Sequence, residues 1–388
     1  MQNIRYEIKD TIIECIPIKN INFNSILVIA SNKDISIFDL ENLTIYAIFQ
    51  YDESERFVLM SPINDDHTQI CVVTQVEQTS SIRMINFINV TNNQFDSTKK
   101  CNCDVSLDLN ISGKIGSICG FKGGILIGVN NSILFYKKNE NDGCYRILSR
   151  TSEIGTEIVS IIANNDLIFV GDRNLSVLIL EYVERFQNFR VVGQETALRR
   201  ILSLTTYKSS VVGSDIDGNV FTFDDLSKIV SDLSSSFAMF KGNRRLPLKM
   251  CYNVGEVVTK VLAIKDSDDK MEKVAYATIN GGFGAFLEKD KNNSFSYIMD
   301  LEGKFKTLLA LQAIIEMQLL KVAAIDHFAF RNKMYPSEVV LDLDIVNLYH
   351  NFSINKKERV AKEVSSSLDT SKIETLINLF NQFFCSIC

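Results

Sequence analysis

Six segments of the chain share one pattern, in which a short apolar run ends in a small residue and a polar turn leads into a second apolar run. The small residues are Ala30, Thr74, Gly128, Gly171, Gly213 and Thr278. Their spacing shows a core period near 43 residues that is lengthened at two places. A period of roughly 40 to 45 residues with several short strands per unit is typical of β-propeller blades. The repeat therefore predicts a mainly β fold, a β-propeller of about six to seven blades.

Each segment is predicted to form a β-hairpin. Ile125 to Gly128, for example, is followed by Asn130 and Asn131 and then by the apolar run Ile133 to Tyr136. Asn and Gly at such turns adopt the backbone conformations that short hairpin loops need. The runs are apolar on both faces, as expected for strands covered on both sides by neighbouring sheets. We expect the small residues to lie where a strand approaches the crowded centre of the ring.

The predicted propeller is of a non-WD type. The chain contains no Trp, whereas a WD-repeat propeller marks its blades with Gly-His and Trp-Asp pairs. Six units are visible, and a seventh blade could combine Tyr6 to Ile18 with Asn293 to Asp300.

The pattern changes from strand to helix near residue 300. The apolar positions then follow a helical period, at Leu301, Phe305, Leu308, Leu309, Ile315, Leu319, Val322 and Ile325. Asn355 with Glu358, and Ser371 with Glu374, are typical helix starts, and Pro336 separates the first helix from the rest. The sequence thus predicts a propeller over residues 1–299 and a C-terminal helical domain over residues 300–388.

Composition restricts the class of partner. The chain has 388 residues, of which 46% are hydrophobic, and a net charge of -6. It lacks 18 consecutive apolar residues and a signal-peptide pattern at its start, so we expect a soluble protein that is not secreted through a signal peptide and has no membrane partner. Nine Cys residues without paired spacing favour reduced thiols inside a cell. The negative net charge argues against non-specific binding to nucleic acid. The basic stretch Lys241 to Arg245 is interpreted as a solvated loop.

A search for metal or nucleotide chemistry gives little. Cys101 with Cys103 and Cys385 with Cys388 lack the further ligands of a zinc site. The segment Asp215 to Asn219 resembles a calcium loop without its later acidic ligand, so a hairpin turn is the favoured interpretation. The glycines from Gly281 to Gly284 precede a strand rather than a helix, unlike a phosphate cradle. We expect no metal, no cofactor and no small-molecule substrate.

Catalytic candidates are equally few. The histidines are His67, His327 and His350, and His327 follows Asp326. That pair could support acid-base chemistry in a propeller channel, but no nucleophile accompanies it at a recognisable spacing. A helix-end or packing role is the preferred interpretation, so the sequence predicts a protein that is not an enzyme.

Several stretches resemble one known family. Tyr276 to Gly284, with Gly281, Gly282 and Gly284, resembles a Gly-Gly-x-Gly hairpin near the end of the last propeller in that family, and Gly255 with Glu256 resembles its Gly-Glu strand. The family holds splicing factor 3b subunit 3, the large subunit of the cleavage and polyadenylation specificity factor, and the damaged-DNA-binding protein of cullin ligases. The resemblance covers roughly residues 115 to 384, whereas family members carry two further propellers before this region.

The splicing branch is the most similar. Asp326, His327, Phe330 and Arg331, followed by Pro336, resemble its Asp-His-x-x-Phe-Arg block and proline. Asp342 and Asp344 resemble its Asp-Gly-Asp, although Leu343 replaces the Gly of that turn.

The resemblance implies a non-catalytic scaffold in the nucleus that acts in branch-site recognition during pre-mRNA splicing. It implies partners among the other splicing factor 3b proteins, including a helical-repeat subunit, with RNA contact at most indirect. Phe380, Phe383 and Phe384 are the candidate partner contacts, with a simple core as the alternative. The alternative function is a propeller adaptor of a cullin ubiquitin ligase or of mRNA 3′-end cleavage and polyadenylation.

Overall fold

The computed structural model describes residues 12–19, 25–31, 34–39, 44–50, 54–63, 69–86, 104–139, 144–151, 153–195, 197–208, 210–223, 244–246, 248–265, 272–287, 304, 307–315, 341–365 and 368–387. The chain divides into two compact units. Unit 1 comprises Met1–Thr206 and Leu233–Leu246, and unit 2 comprises Tyr207–Asp232 and Pro247–Cys388.

The strands of the first three sheets run in chain order. They are β1 (Ile12–Lys19), β2 (Ser25–Ser31), β3 (Asp34–Asp39), β4 (Thr44–Gln50), β5 (Arg56–Pro62), β6 (Gln69–Val76), β7 (Thr79–Asn86), β8 (Asp104–Ser112), β9 (Ile115–Phe121), β10 (Gly124–Val129), β11 (Ser132–Lys138) and β12 (Tyr145–Arg150). The remaining strands are β13 (Ile158–Asn164), β14 (Leu167–Asp172), β15 (Ser176–Val183), β16 (Asn188–Gln194), β17 (Ile201–Tyr207), β18 (Ser210–Asp215), β19 (Asn219–Phe223), β20 (Arg244–Arg245), β21 (Leu248–Asn253), β22 (Val258–Lys265), β23 (Glu272–Thr278) and β24 (Phe283–Leu287).

Unit 1 is built from four successive antiparallel sheets, each made of four consecutive strands. The short strand β20 adds to the fourth sheet in parallel with β16. The first strands of successive sheets lie side by side, with β1 next to β5, β5 next to β9 and β9 next to β13. Four-stranded meanders that meet through their first strands are the arrangement of propeller blades. The prediction of a mainly β, propeller-type fold is confirmed at this level.

The number of complete blades differs from the prediction. The described residues form five sheets of four or more strands, the fifth having the order β17-β18-β19-β21, and a sixth sheet of three strands, β22-β23-β24. The prediction of six to seven blades is therefore too high. All six predicted hairpins are present, but a hairpin signal reports only the middle strands of a blade and not its outer strand.

The proposed seventh blade is also not supported. Its first half overlaps β1, whose backbone pairs with β2 as part of the first sheet. Its second half, Asn293 to Asp300, lies outside the described residues.

Successive side chains of each strand point to opposite faces of its sheet, and the sheets pack on one another through these faces. We call the face of a sheet that meets the following sheet its forward face. A Cβ atom added to Gly128 would lie 2.7 Å from Ile158 Cγ2, and one added to Gly171 would lie 2.6 Å from Ile201 Cγ2. Both isoleucines lie at the start of the next sheet's first strand. These two glycines therefore permit the close packing of successive sheets, as predicted.

For three of the six predicted small residues, Thr74, Gly213 and Thr278, the residue that faces the next sheet is the adjacent one in the chain. Gly171 pairs with Ser160, which follows a bulge in the first strand of its sheet, whereas Thr74 and Thr278 pair with residues that precede the equivalent bulge. Because a one-residue shift changes the face of the sheet, Thr74 and Thr278 lie on the opposite face from Gly171. The equivalents of Gly171 are Ala30, Val73, Gly128, Ser214 and Ala277.

The helices of unit 2 form a separate hydrophobic cluster. They are α1 (residues 307–315), α2 (Leu343–Asn347), α3 (Ile354–Val364) and α4 (Thr370–Ile387), with a 3-10 turn at Leu348–Asn351 after α2. The core is formed by Leu308, Leu311, Ile315, Ile345, Val346, Tyr349, Val360, Ala361, Ile373 and Ile377. Helices are present where α3 and α4 were predicted, but their caps are Ser353 and Asp369, two residues before the predicted Asn355 and Ser371. Within the described part of the chain, no helix is both long and apolar enough to cross a membrane.

Candidate interaction surface

The Gly-Glu and Gly-Gly-x-Gly signatures come together in unit 2, at the end of the sixth sheet. Glu256 lies in the bend before β22, and its Oε2 accepts a hydrogen bond of 2.6 Å from the hydroxyl of Thr278 at the end of β23. Gly255 precedes it with a φ of 89°, and its N–H donates to Asn253 Oδ1 at 2.9 Å. Two segments that are about twenty residues apart in the chain are thus held together by one carboxylate.

The β23–β24 turn is closed by its own backbone and by the same threonine. Thr278 N–H donates to the carbonyl of Gly282 at 2.8 Å, and Gly282 N–H donates to Thr278 Oγ1 at 2.9 Å. Gly281 has a φ of 84°, a conformation that L side chains rarely adopt. A Cβ on Gly284 would lie 2.4 Å from Cζ and the hydroxyl oxygen of Tyr276, so a larger residue would have to displace that side chain. The glycines shape a hairpin, and β24 follows the turn as predicted.

A second turn, from Asp215 to Asn219, lies directly against the Glu256 bend. Asp215 Oδ1 accepts hydrogen bonds from the backbone N–H groups of Asp217 and Asn219, each at 3.0 Å. Asn253 Nδ2 donates to the carbonyl of Asp217 at 2.8 Å and to Asn219 Oδ1 at 3.0 Å. The aspartate and the amides therefore bind protein groups, in agreement with the prediction of a hairpin turn rather than a calcium loop. A Cβ on Gly218 would lie 2.7 Å from the carbonyl oxygen of Glu256, so this turn touches the bend before β22.

Large apolar side chains are exposed beside this polar network. Ile279 in the β23–β24 turn is 66% exposed, and Phe283 at the start of β24 is 76% exposed. Leu262 on β22 is 48% exposed. We define the hairpin patch as Leu262, Ile279 and Phe283. A rigid turn that presents aliphatic and aromatic side chains to solvent is typical of a protein-binding surface.

The helices are attached to the sheets of unit 2 through Asp342. The Tyr252 hydroxyl in β21 donates to Asp342 Oδ2, and the backbone N–H of Asp342 donates to Gln312 Oε1 in α1 at 2.9 Å. Asp342 Oδ1 also caps α2 by accepting from the N–H groups of Asp344 and Ile345. Sequence reasoning missed Tyr252 and Gln312, because their partner Asp342 lies far away in the chain.

The replacement of Gly by Leu343 in the Asp-x-Asp stretch has a simple explanation. Leu343 is the first residue of α2 and follows the N-cap Asp342. A helical residue needs no positive φ, so a leucine fits there without strain.

Titratable groups in the helical cluster have structural roles. Tyr349 is fully buried, and its hydroxyl donates to the carbonyl of Lys357 at 3.2 Å. Burial, together with the negative charges of Glu374 and Asp369, raises the pKa of Tyr349 to about 12. The hydrogen bond from Lys357 Nζ, at 2.7 Å, lowers the pKa of Glu374. Among the described residues, no three His, Cys, Asp or Glu side chains are grouped so that they could hold a metal ion.

The structure describes only some of the other predicted site residues. Phe380 is half-buried and packs against the helical cluster. Phe383 and Phe384 belong to α4, but their side chains lie outside the described part of the structure. The predicted positions Asp326, His327, Phe330, Arg331 and Pro336 lie outside the described residues.

Comparison with known proteins gives one family. The sequence profile described as the CPSF A subunit region matches residues 32–351. The chain is 22% identical over 263 residues to splicing factor 3B subunit 3 of Drosophila melanogaster, covering 64% of this chain and 20% of that protein. It is 23% identical over 261 residues to the probable splicing factor 3B subunit 3 of Dictyostelium discoideum, covering 64% of this chain and 20% of that protein.

A yeast protein gives the same result. Pre-mRNA-splicing factor RSE1 of Debaryomyces hansenii is 20% identical over 267 residues, covering 64% of this chain and 21% of that protein. The chain thus spans about a fifth of the length of the curated relatives that it matches.

Proposed function

Because the chain belongs to the family described as the CPSF A subunit region, we propose that it is a non-catalytic interaction scaffold of the pre-mRNA splicing machinery. The observation that carries this proposal is the similarity to proteins named as splicing factors over 64% of the chain. Their names concern splicing in insect, amoeba and yeast alike.

The geometry of unit 2 supports a binding role. The carboxylate of Glu256 and the amide of Asn253 hold backbone turns in place. The turns they fix carry the hairpin patch, whose apolar side chains lose contact with water when a partner covers them. Such an arrangement favours affinity for another protein, because the presenting backbone is already ordered before binding.

The finer features of the proposal follow from the family resemblance. The protein acts in the nucleus in branch-site recognition and binds other splicing factor 3b proteins, including a helical-repeat subunit. The net charge of -6 makes RNA contact indirect at most. The propeller over residues 1–299 and the helical domain over residues 300–388 contribute separate contacts, with Phe380, Phe383 and Phe384 as candidate contacts on α4.

Affinity purification tests the proposal. The tagged full-length chain is isolated from nuclear extract, and the co-purified proteins are identified by mass spectrometry. We expect splicing factor 3b proteins to be enriched at least tenfold over a tag-only control. Recovery of cullin-ligase components or of 3′-end processing factors in their place, with the chain intact, would overturn the assignment to splicing and favour the adaptor alternative.

A further inference from the structure

The β23–β24 turn contains a chemically reactive dipeptide. Asn280 is followed by Gly281, and no other Asn in the sequence is followed by Gly. Asparagine is one of the chemically labile residues. Its side-chain amide can be attacked by the backbone nitrogen of the next residue, and glycine favours the attack because it has no side chain to hinder the approach. The sequence therefore identifies one candidate position for spontaneous deamidation, and the surroundings of this turn determine whether the reaction can occur.

The Asn280 side chain is free to react. It is exposed, and its amide makes no hydrogen bond with the described part of the chain. Other exposed asparagines use their amide oxygens to hold the backbone. Asn130 Oδ1 accepts from Lys114 N–H at 3.1 Å, and Asn188 Oδ1 accepts from Phe189 N–H at 2.8 Å. The unbound amide of Asn280 can rotate toward the next backbone nitrogen without losing such a contact.

The attacking nitrogen has room as well. Apart from its chain neighbours, a Cβ placed on Gly281 would have no heavy atom within 4 Å. The neighbouring turn provides a contrast, because Asp217 and Gly218 could form the same cyclic intermediate. A Cβ on Gly218 would lie 2.7 Å from the carbonyl oxygen of Glu256, and the Asp217 carbonyl accepts from Asn253 Nδ2 at 2.8 Å. Of these two turns, only the β23–β24 turn leaves the reacting groups uncrowded.

One hydrogen bond must open before the attack. Gly281 N–H donates to the carbonyl of Thr278 at 3.1 Å. The base of the hairpin stays closed when this bond opens, because Thr278 N–H still donates to the Gly282 carbonyl at 2.8 Å and Gly282 N–H donates to Thr278 Oγ1 at 2.9 Å. Bonds at exposed loop tips open locally at a small free-energy cost, whereas bonds of the core open only with global unfolding. The tip of the turn can therefore rearrange in the folded protein.

We propose that Asn280 is a site of spontaneous deamidation and isoaspartate formation in the folded protein. The Gly281 nitrogen bonds to Asn280 Cγ, its proton passes to the departing amide nitrogen, and ammonia leaves, which gives a cyclic imide. Water then cleaves one of the two C–N bonds of the ring. Cleavage at Cγ gives aspartate, and cleavage at the main-chain carbonyl carbon gives isoaspartate. Water is the only other reactant, and the inference goes beyond the proposed scaffold function without depending on it.

Either product changes the surface around the turn. Each adds a carboxylate in the chain between Ile279 and Phe283 of the hairpin patch. A second carboxylate is already present at the base of this turn, where Glu256 Oε2 lies 2.6 Å from Thr278 Oγ1. Negative charges at short range repel each other. Isoaspartate also adds one carbon to the main chain, which disturbs the pairing of Thr278 with Gly282. We expect the modified turn to be less ordered and less apolar.

Ageing of the purified full-length chain tests the inference. The folded protein is incubated in water enriched in heavy oxygen, its peptides are mapped by mass spectrometry, and isoaspartate is measured with a protein isoaspartyl methyltransferase. We expect Asn280 to deamidate with incorporation of heavy oxygen, at least tenfold faster than Asn174, which is also exposed but is followed by Leu175. The rate should rise with pH around neutrality, because the attacking nitrogen must lose its proton.

Variants and an unfolded sample complete the test. Asn280→Gln keeps an amide but has to close a larger ring, so product at this position should fall at least tenfold. Asn174→Gln is the matched control and should leave deamidation of Asn280 unchanged. In aged wild-type protein, hydrogen exchange should rise in residues 272–287 and stay unchanged in residues 158–194. Deamidation of Asn280 only in urea, or at no more than the rate of Asn174, would overturn the inference, because the hydrogen bond of Gly281 would then protect the turn.

Discussion

Ser214 shows how much a single atom can matter in a repeated packing position. It occupies the site that Gly128 and Gly171 hold in the two preceding sheets. Its side chain is fully buried, and its hydroxyl has no hydrogen-bond partner, the one such side-chain group found among the described residues. A buried hydroxyl that has left water without gaining a partner destabilises the folded state.

We therefore expect Ser214→Ala to stabilise the protein. Alanine keeps the Cβ and removes the unpaired oxygen, so the free energy of unfolding should rise by about 1 kcal/mol. Urea denaturation followed by circular dichroism measures the change. Ser176→Ala is the matched control, because the Ser176 hydroxyl donates to Glu195, and this variant should be less stable than the wild type. A loss of stability in Ser214→Ala would contradict the expectation.

Asp172 represents the opposite case, a buried carboxylate whose oxygens accept several hydrogen bonds. Its oxygens accept from the hydroxyl of Thr156 and from the backbone N–H groups of Thr156, Glu157, Asn174 and Leu175. Burial alone would raise the pKa of Asp172, but these hydrogen bonds outweigh burial and lower it. The carboxylate thereby fixes the loop before β13 to the β14–β15 turn.

The lowered pKa predicts a specific pH dependence. Because the pKa of Asp172 is lower in the folded state than in the unfolded state, its stabilisation is complete above the ordinary Asp pKa of about 4 and is lost as the pH falls through the folded-state value. Asp172→Asn should cost about 2 kcal/mol of unfolding free energy near neutral pH, and the difference from wild type should shrink below about pH 4.

Denaturant titrations between pH 3 and pH 8 measure this difference. Asp166→Asn is the control, since Asp166 is 63% exposed and pairs with Lys122 on the surface. A stability difference for Asp172→Asn that stays constant down to pH 3 would show that the charge plays no part.

At the scale of elements, polar pairs distant in the chain hold the hairpins in place. Thr74 donates to Glu55, Thr278 donates to Glu256, and Asp172 accepts from Thr156. Thr74, Asp172 and Thr278 each lie at the end of the second strand of a sheet and pair with the residue that precedes the bulge in the first strand. The same position therefore makes a hydrogen bond that holds the hairpin in three sheets, although the residue type at the position differs.

The contact between β21 and α2 is expected to determine whether the helices stay attached. Asp342→Ala removes both the α2 cap and the oxygen that accepts from Tyr252, and Tyr252→Phe removes the donating hydroxyl. A double-mutant cycle of these two changes should give a coupling energy of about 1 to 3 kcal/mol, because a buried hydrogen bond to a carboxylate is lost once in either single variant. Urea unfolding supplies the four stabilities.

A cap on the surface provides the comparison. Asp369→Ala removes the oxygen that accepts from Lys372 N–H at the start of α4, at an exposed position. Its effect should add to that of Tyr252→Phe without coupling. Equal coupling in both cycles would show that the Tyr252–Asp342 contact is not a specific link.

At the scale of the whole molecule, the last sheets and the helices belong to one unit. We expect a chain that ends at residue 299 to lose protection from hydrogen exchange in residues 210–223, 248–265 and 272–287 of unit 2, because Tyr252 and its neighbours lose the contacts that Asp342 provides. Protection of residues 104–195 in unit 1 should be unchanged. Equal loss of protection in both regions, measured by mass spectrometry, would show that the units do not behave separately.

Much of the fold could be predicted from the sequence because hairpins are local. The turn at Asn130 and the β-branched runs around it determine a hairpin within a dozen residues, and all six such hairpins are present. The outer strands carry no comparable signal. The fourth strand of the fifth sheet, β21, begins after a long insertion, so its pairing with β19 depends on a contact that the local pattern does not contain.

Of the candidate interaction surface, the sequence predicted the turns but not the exposed apolar side chains. The glycines at 281, 282 and 284 identify the hairpin, because glycine tolerates conformations and close approaches that other residues do not. Nothing in the local sequence shows that Phe283 is exposed while Val220 at the same position of the previous sheet is buried. That difference depends on whether another sheet covers the face.

The sequence by itself determined the repeat, the hairpins and the helical periodicity of the segments after the last hairpin. Only the tertiary structure decided which of two adjacent residues, such as Val73 or Thr74, meets the next sheet, and which apolar side chains remain uncovered. The physical reason is that turn chemistry and periodicity act over a few residues, whereas register and burial depend on strands that pair and pack from distant parts of the chain.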